Sequence, residues 1–319
     1  MGTIAVVAIE NLDANNIAKL MYCFRDALQE HKESLNSLNV YPVPDGDTGS
    51  NMTATLNSVV SEIESLEDPE LENIIEAISH GSLMGARGNS GVIISQILRG
   101  FVSEIKNASK KTIDANLFSD ALRAAASAAY EAVGNPVEGT ILTVVRETAE
   151  AAEKSLLEHS NLLMVVETAR EAAKRSLDST PDLLPVLARA GVVDAGGSGF
   201  LLMLDSLLHV IDDRPMPEPE IVKASVDSLI FDIHDDTTNS GTRYEVMYFL
   251  DAPDDLIPGF KKAWSEIGDS IVVVGGENIW NCHVHTNNIG AAVEAGISIG
   301  KPHDIRVTDL FEEIAENHH

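Results

Sequence analysis

Every second connection between the helical stretches of this sequence is rich in glycine, and that alternation restricts the fold. Apolar residues recur at the 3.6-residue spacing of amphipathic helices. Ile17, Leu20, Met21, Phe24, Leu28 and Leu35 share one face, as do Leu71, Ile74, Ile75 and Ile78. So do Ile141, Val144, Val145, Thr148 and Ala152, and then Leu163, Val166, Ala169 and Ala173. Further helices are expected over 51–65, 91–106, 117–133 and 198–211, making eight principal helices, with a short extra one near 182–190. Four connections carry glycine: Pro44-Asp45-Gly46-Asp47-Thr48-Gly49, Gly85-Ala86-Arg87-Gly88-Asn89-Ser90-Gly91, Gly134-Asn135-Pro136-Val137-Glu138-Gly139-Thr140, and Gly191-Val192-Val193-Asp194-Ala195-Gly196-Gly197-Ser198-Gly199. The intervening connections, at 67–70, 107–116 and 158–161, carry none.

In an up-and-down array of helices, alternate connections emerge at the same end. The four Gly-rich loops are therefore expected on one rim. Glycine lets backbone N–H groups approach a ligand closely. A loop feeding a helix N-terminus adds unsatisfied donors and a dipole that favours anions. Four such loops together describe a site for a polyphosphate. Any one of them alone would read most simply as a helix C-cap, so the alternation carries the reading.

The helical pattern stops at Asp212-Asp213-Arg214-Pro215-Met216-Pro217-Glu218-Pro219-Glu220, where alternating proline and charge favour an extended linker. Strands follow at 244–250, 270–274, 279–286 and 304–308, with helices at 254–267 and 289–299 and a turn at Gly275-Gly276-Glu277-Asn278. The order βαββαβ is the split βαβ, ferredoxin-like arrangement. The expected fold is thus mainly α, a helical array over 1–212, a Pro-rich acidic linker over 213–240 and a small α+β domain over 241–319. Abundant alanine suits closely packed helices.

Charge narrows the function. Lys plus Arg number 22 against 50 Asp plus Glu, a formal charge of −28. No basic stripe is present, which argues against nucleic acid and anionic membranes. A phosphate-bearing ligand must then arrive with metal or meet backbone dipoles. Only Cys23 and Cys282 occur, far apart, so a disulfide framework is excluded and a cytoplasmic setting is expected. No apolar run is long enough to span a membrane, and the opening at 3–9 is too weak for a signal peptide. The closing Asn317-His318-His319 reads as a tag remnant or an artificial edge.

Asp45 and Asp47 flank one glycine beside prolines that stiffen the approach. Two hard carboxylates so placed can hold Mg²⁺ and leave positions open for phosphate oxygens. A solvated Asp-Gly turn is the plain alternative; Thr48, Ser50 and Asn51, entering a helix directly behind, favour metal and phosphate.

These residues also carry a resemblance. Leu38-Asn39-Val40-Tyr41-Pro42-Val43-Pro44-Asp45-Gly46-Asp47-Thr48-Gly49-Ser50-Asn51-Met52 resembles the signature of the dihydroxyacetone-kinase-type nucleotide-binding domain, in the version found in bacterial fatty acid kinase catalytic subunits. The blocks at 85–91, 138–142 and 193–199 match in the same order, so the resemblance spans about residues 10–211. It implies an annular barrel of eight antiparallel helices with ATP and two Mg²⁺ ions at one rim. Carried over by position, Asp45 and Asp47 would ligate Mg²⁺, with Asn39 near the place of a third aspartate in the dihydroxyacetone relatives. Thr48, Gly49, Ser50 and Asn51 would contact phosphates. Gly88, Asn89, Ser90, Gly91 and Thr140 would line the nucleotide, and Asp194 with Gly196 would close over it. Arg87 is the nearest cation for transferred charge, and as readily an ordinary surface arginine.

The tail resembles the middle domain of the same kinases through Val272-Val273-Val274-Gly275 and His283-Val284-His285-Thr286. In a strand, His283 and His285 share a face, so both could bind one metal, while Cys282 points the other way. Relatives place a cysteine after a tyrosine on the first strand; here Glu245 follows Tyr244, leaving Glu245, His283 and His285 as a zinc set or no site at all. His303 reads as a loop residue. The resemblance further implies a C-terminal domain beyond this chain, a fatty acid carboxylate as acceptor, an acyl phosphate as product and, as partner, a fatty-acid-binding protein. A homodimer is an option. The rival readings are a kinase of a small polyol such as dihydroxyacetone, and a nucleotide-bound module without catalysis.

Overall fold

The computed structural model describes residues 9–67, 69–220 and 242–312. The opening stretch at 3–8, residues 221–240 of the linker expected over 213–240, and the closing histidines lie outside them. Helix α1 (Ala14–Glu30) starts at a capping box, in which Asp13 accepts from the Asn16 N–H at 2.9 Å and Asn16 from the Asp13 N–H at 3.0 Å. The apolar face expected to run on to Leu35 breaks at His31, and α2 (Lys32–Leu38) sets off separately. Then follow α3 (Thr48–Glu64), α4 (Leu71–Gly85), α5 (Gly88–Ala108), α6 (Ala115–Ala132), α7 (Ile141–Ser155) and α8 (Leu162–Asp178). The short helix expected near 182–190 is two, α9 (Thr180–Leu183) and α10 (Pro185–Ala190), before α11 (Ala195–Asp212). The eight long helices, α1, α3 to α8 and α11, each pack on the next, and α11 returns to α1, closing a ring.

The ring is filled by Phe24, Leu28, Met52, Leu56, Phe118 and Phe200, all buried. One close approach is between α5 and α6, where a Cβ at Gly100 would come within 2.8 Å of Ala128 Cβ. Alanine and glycine there let two helices touch backbone to backbone. No helix among the described residues is long and apolar enough to cross a membrane.

Three motif helices begin earlier than their apolar periodicity indicates: α3 at Thr48, α5 at Gly88 and α11 at Ala195. Their first turns are small and polar, so they carry no hydrophobic signal. The Gly-rich blocks are therefore themselves helix N-termini, where backbone N–H groups lack intrahelical partners.

After α11, the described part of the expected linker is docked. His209 Nδ1 lies 2.7 Å from Arg214 O, Arg214 pairs with Glu167, Met216 packs on the ring's core, and His31 Nε2 lies 3.0 Å from Pro217 O. Residues 213–220 thus run as a strap from the end of α11 to the start of α2.

The remaining elements are β1 (Tyr244–Asp251), α12 (Ile257–Ser265), β2 (Gly268–Gly276), β3 (Ile279–Thr286), α13 (Ile289–Ile299) and β4 (Lys301–Asp309). The sheet order is β2-β3-β1-β4 with every pair antiparallel, the split βαβ topology. The turn between β2 and β3 is shorter than the four residues expected. Only Glu277 (φ 54°) and Asn278 (φ 67°) form it, both left-handed as a type I′ hairpin requires. His303 lies in β4 rather than a loop, stacked on Phe249.

One face of the sheet, with Val246, Tyr248, Leu250, Val273, Cys282 and Val284, packs on α12 and α13. Tyr248 and the Trp264 indole both donate to Ala292 O, at 2.8 and 3.1 Å. Burial pushes the Cys282 thiol up, and both cysteines are free. The other face meets the ring: Met247, Val272 and Val274 cluster with Leu83, Ala86, Val92 and Ala132. Asn281 Nδ2 donates to Leu83 O at 3.2 Å, and the Gly134 N–H donates to Ile271 O at 3.3 Å. The sheet therefore rests on both flanks of the 85–91 loop and on the start of the 134–140 loop.

Candidate functional site

The first Gly-rich block enters α3. Asn39 donates from Nδ2 to Asp45 Oδ1, and Asn51, one turn into the helix, donates to Asp47 Oδ2 at 2.5 Å. Burial pushes the Asp47 carboxyl above its ordinary range, against the hydrogen bonds from Asn51 and with Asp45 that lower it. Thr48 and Gly49 are buried, and a Cβ at Gly49 would overlap Lys32 O of α2. Ser50 is tied to the same helix: its N–H donates to Asn36 Oδ1 and its hydroxyl accepts from Asn36 Nδ2, both at 3.1 Å.

The second block lies directly on the first. Gly88, at φ +52°, sits so close to Asn51 that a Cβ would overlap Asn51 Nδ2 and come within 3.6 Å of Asp47 Oδ2. A Cβ at Gly91 would lie 2.7 Å from Thr55 Oγ1. Arg87 immediately precedes α5 and is half-buried, as are Asn89 and Ser90. The Ser90 hydroxyl is buried with no hydrogen-bond partner.

The third and fourth blocks complete the rim. Asp194 caps α11, accepting from the Gly197 N–H at 2.6 Å, and accepts also from the Ile141 N–H at the start of α7. Its own N–H donates to Thr180 Oγ1 at 3.1 Å. One buried carboxylate thus joins two helix N-termini. Burial pushes Asp194 up to about 6, opposed by those two N–H groups. A Cβ at Gly196 would lie 3.2 Å from Ile141 Cβ, beside Thr140, and one at Gly199 would lie 2.6 Å from Met52 Sδ. The four blocks form one continuous contact chain: 85–91 on 45–52, 45–52 on 194–199, and 194–199 on 139–141.

Asn36, Thr55 and Thr180 bind this chain together, and the sequence motifs do not mark them. A lone polar residue in an amphipathic helix carries no motif, so only the contact reveals it. The rim is also close to the sheet. Burial, with Asp194 and Asp269 nearby, holds the Tyr41 hydroxyl above its ordinary value, so a rim carboxylate and a β2 carboxylate act on one side chain.

On the sheet face that meets the ring, Glu245, His283 and His285 bring their ligand atoms within 4.8 Å of one another. Register explains this: Glu245 and Asp269 both pair with His285, from the two neighbouring strands. His283 Nδ1 lies 3.3 Å from Glu245 Oε1 but without hydrogen-bond geometry, and neither ring nitrogen has a hydrogen-bond partner. Burial, and secondarily His285, lowers the His283 pKa well below its ordinary value; burial pushes His285 down to about 4, opposed by Asp269. Both shifts favour the neutral imidazole, the form that ligates metal. Thr308 Oγ1 donates to Glu245 Oε2 at 3.2 Å, fixing the carboxylate. Two orphaned nitrogens and a neighbouring carboxylate fit a divalent cation.

The family model of the DAK2 domain matches residues 42–209, and that of the FakA-like middle domain of fatty acid kinase matches residues 241–317. Protein YloV of Bacillus subtilis (strain 168) is 34% identical over 318 residues, covering 96% of this chain and 57% of the relative. An uncharacterized protein of Staphylococcus saprophyticus is 34% identical over 316 residues, 97% of this chain and 57% of its own length. One from Staphylococcus aureus (strain bovine RF122 / ET3-1) is 35% identical over 309 residues, 91% of this chain and 54% of its own. The chain thus spans a little over half the length of these relatives. With both domain models matched in order along one chain, the protein belongs to the DAK2 domain family and carries the signature of the FakA-type fatty acid kinases.

Proposed function

We propose that this chain is the ATP- and Mg-dependent kinase component of a two-part fatty acid kinase, acting in the cytoplasm. It would transfer a phosphoryl group to a fatty acid carboxylate presented by a separate lipid-binding protein, giving an acyl phosphate. The division that follows is a kinase module over 1–212, a connector over 213–240 and a middle module over 241–319. The observation that carries this reading is the seating of Gly88 on Asn51 and Asp47, with the Ser90 hydroxyl buried beside it and unpartnered. Any side chain at position 88 would displace Asn51 from Asp47, and an acceptor for Ser90 is what a phosphate oxygen offers.

Asp45 and Asp47 would hold two Mg²⁺ ions, and Asn39, engaged as a donor to Asp45, would orient that carboxylate. Bound Mg²⁺ would neutralise phosphate charge, which a chain of net charge −28 otherwise repels. Thr48 and Gly49 would offer first-turn N–H groups of α3, with Ser50 and Asn51 behind them, whose own N–H groups are taken by Asn36 Oδ1 and Asp47 O; Gly88, Asn89 and Ser90 would offer those of α5, ahead of Gly91, which is bonded to Arg87 O. Thr140 and Gly196 line the far side, and Asp194 holds the α7 and α11 termini together. Arg87 supplies positive charge where the phosphoryl group is transferred. Positioning and electrostatics suffice for such chemistry. The cluster of Glu245, His283 and His285 is a second metal site, for zinc.

The test is phosphoryl transfer from ATP by the purified chain. Acyl phosphate that forms only with Mg²⁺ and a fatty-acid-loaded binding protein supports the proposal. Turnover of dihydroxyacetone without that protein would replace it with a polyol kinase.

A further inference from the structure

The loop at 134–140 contains a hydrogen-bond network that lies outside the contacts joining the four blocks. Glu138 collects it. Its Oε1 accepts from the Tyr130 hydroxyl at 2.9 Å; its Oε2 accepts from Thr143 Oγ1 at 2.7 Å and from Arg146 at 3.0 Å. Arg146 Nε donates to the Tyr130 hydroxyl at 3.2 Å, and the Gly139 N–H donates to Thr143 Oγ1 at 2.8 Å. Two relays therefore end on one carboxylate: Gly139 N–H to Thr143 to Glu138, and Arg146 to Tyr130 to Glu138. Partial burial raises the Glu138 pKa, but its donors outweigh it and hold the carboxyl below the ordinary range.

The relays span three pieces of chain. Tyr130 is in the last turn of α6, Thr143 and Arg146 are in the first turns of α7, and Gly139 is in the loop between. Gly139 is at φ +83°, packed against Leu183 and Leu184. The next residue, Thr140, caps α7 and donates to Val137 O at 2.8 Å. Glu138 thus fixes the backbone that presents Thr140 and the α7 N-terminus to the rim. Each relay hydroxyl donates towards Glu138, so its lone pairs are left to accept from Gly139 and Arg146. Only a carboxylate serves all three donors; an amide has one acceptor oxygen.

We propose that Glu138 is a positioning residue for nucleotide binding, acting through Thr143 and Tyr130 to preorganise the 134–140 loop. The inference rests on the nucleotide reading of the rim. A preordered loop loses less entropy on binding, so the effect belongs in affinity.

The experiment measures Kd for a non-hydrolysable ATP analogue with Mg²⁺ by calorimetry on the chain as it stands, together with KM and kcat where turnover is measurable. Glu138→Gln and Thr143→Val should each weaken binding about tenfold, the loss of roughly one charge-assisted hydrogen bond. Their double variant should fall well short of the product of the two losses. KM should rise with kcat nearly constant. Thr143→Ser, which keeps the hydroxyl, should bind like the parent. Tyr130→Phe, a milder change on the exposed side of the network, should weaken binding less. Arg123→Gln, which removes exposed pairs with Asp120 and Glu153 on the same helices, should leave Kd unchanged. A parent that binds and a folded Glu138→Gln variant that binds equally tightly would overturn this inference alone. A parent that binds no analogue would overturn the nucleotide reading and this inference with it.

Discussion

Gly88 and Asp194 show how little freedom single residues have at the rim. Gly88 combines a left-handed backbone with contact on Asn51 and Asp47, so Gly88→Ala adds strain of about 1–2 kcal/mol before any clash is counted. Its melting temperature should fall by several degrees and its affinity for the Mg²⁺–analogue complex by tenfold or more, read by scanning fluorimetry and calorimetry. Asp194 makes a prediction about pH. Its folded value of about 6 lies above the ordinary 3.8, so the folded chain binds more protons than the unfolded one between those values. This group alone then adds stability as pH falls from about 6 towards 4, and opposes it at neutral pH. A carbon-detected NMR titration should find its midpoint near 6; a midpoint near 4 would mean that the two N–H groups outweigh burial. Asp194→Ala should cost roughly 1–3 kcal/mol, since two helix N-termini lose an acceptor.

At the scale of elements, the helices and strands were legible because burial writes a period into the sequence. All eight long helices and the βαββαβ order follow from spacing alone, and α13 occupies the expected 289–299 span. The helix starts at Thr48, Gly88 and Ala195 were not legible, because their first turns are small and polar and carry no hydrophobic period. Nor was the strap. Prolines and charge at 213–220 indicate an extended chain, and only tertiary contacts with Glu167 and His31 show that it is docked. The site was half legible: the aspartates and glycines announce themselves as motifs, whereas Asn36, Thr180 and the Glu138 network exist only as contacts. Strand alternation put His283 and His285 on one face, and the resemblance to the kinases' middle domain pointed to Glu245; the cluster yields a direct check. Elemental analysis should find a divalent metal in the parent and less in His283→Ala. Glu245→Cys should shift the preference towards zinc, because thiolate is the softer ligand. A parent purified with zinc in the buffer yet metal-free would remove this site.

For the whole molecule, the sheet and the ring share more than a chain. Met247, Val272 and Val274 rest on Leu83, Ala86 and Val92, so the strands that carry the histidine cluster also support the loop that touches Asp47. In the proposed function an acidic rim would meet a polyanion, an arrangement that works only with cations between them. The central claim is therefore a linkage between Mg²⁺, the Asp45–Asp47 pair and nucleotide. It is tested most directly by calorimetric titration of an ATP analogue into the chain with Mg²⁺ and with a chelator, for the parent and for Asp47→Asn. Binding is expected only for the parent with Mg²⁺, with Asp47→Asn at least a hundredfold weaker and unchanged in circular dichroism. Equal affinity without Mg²⁺, or in a well-folded Asp47→Asn variant, would contradict the account.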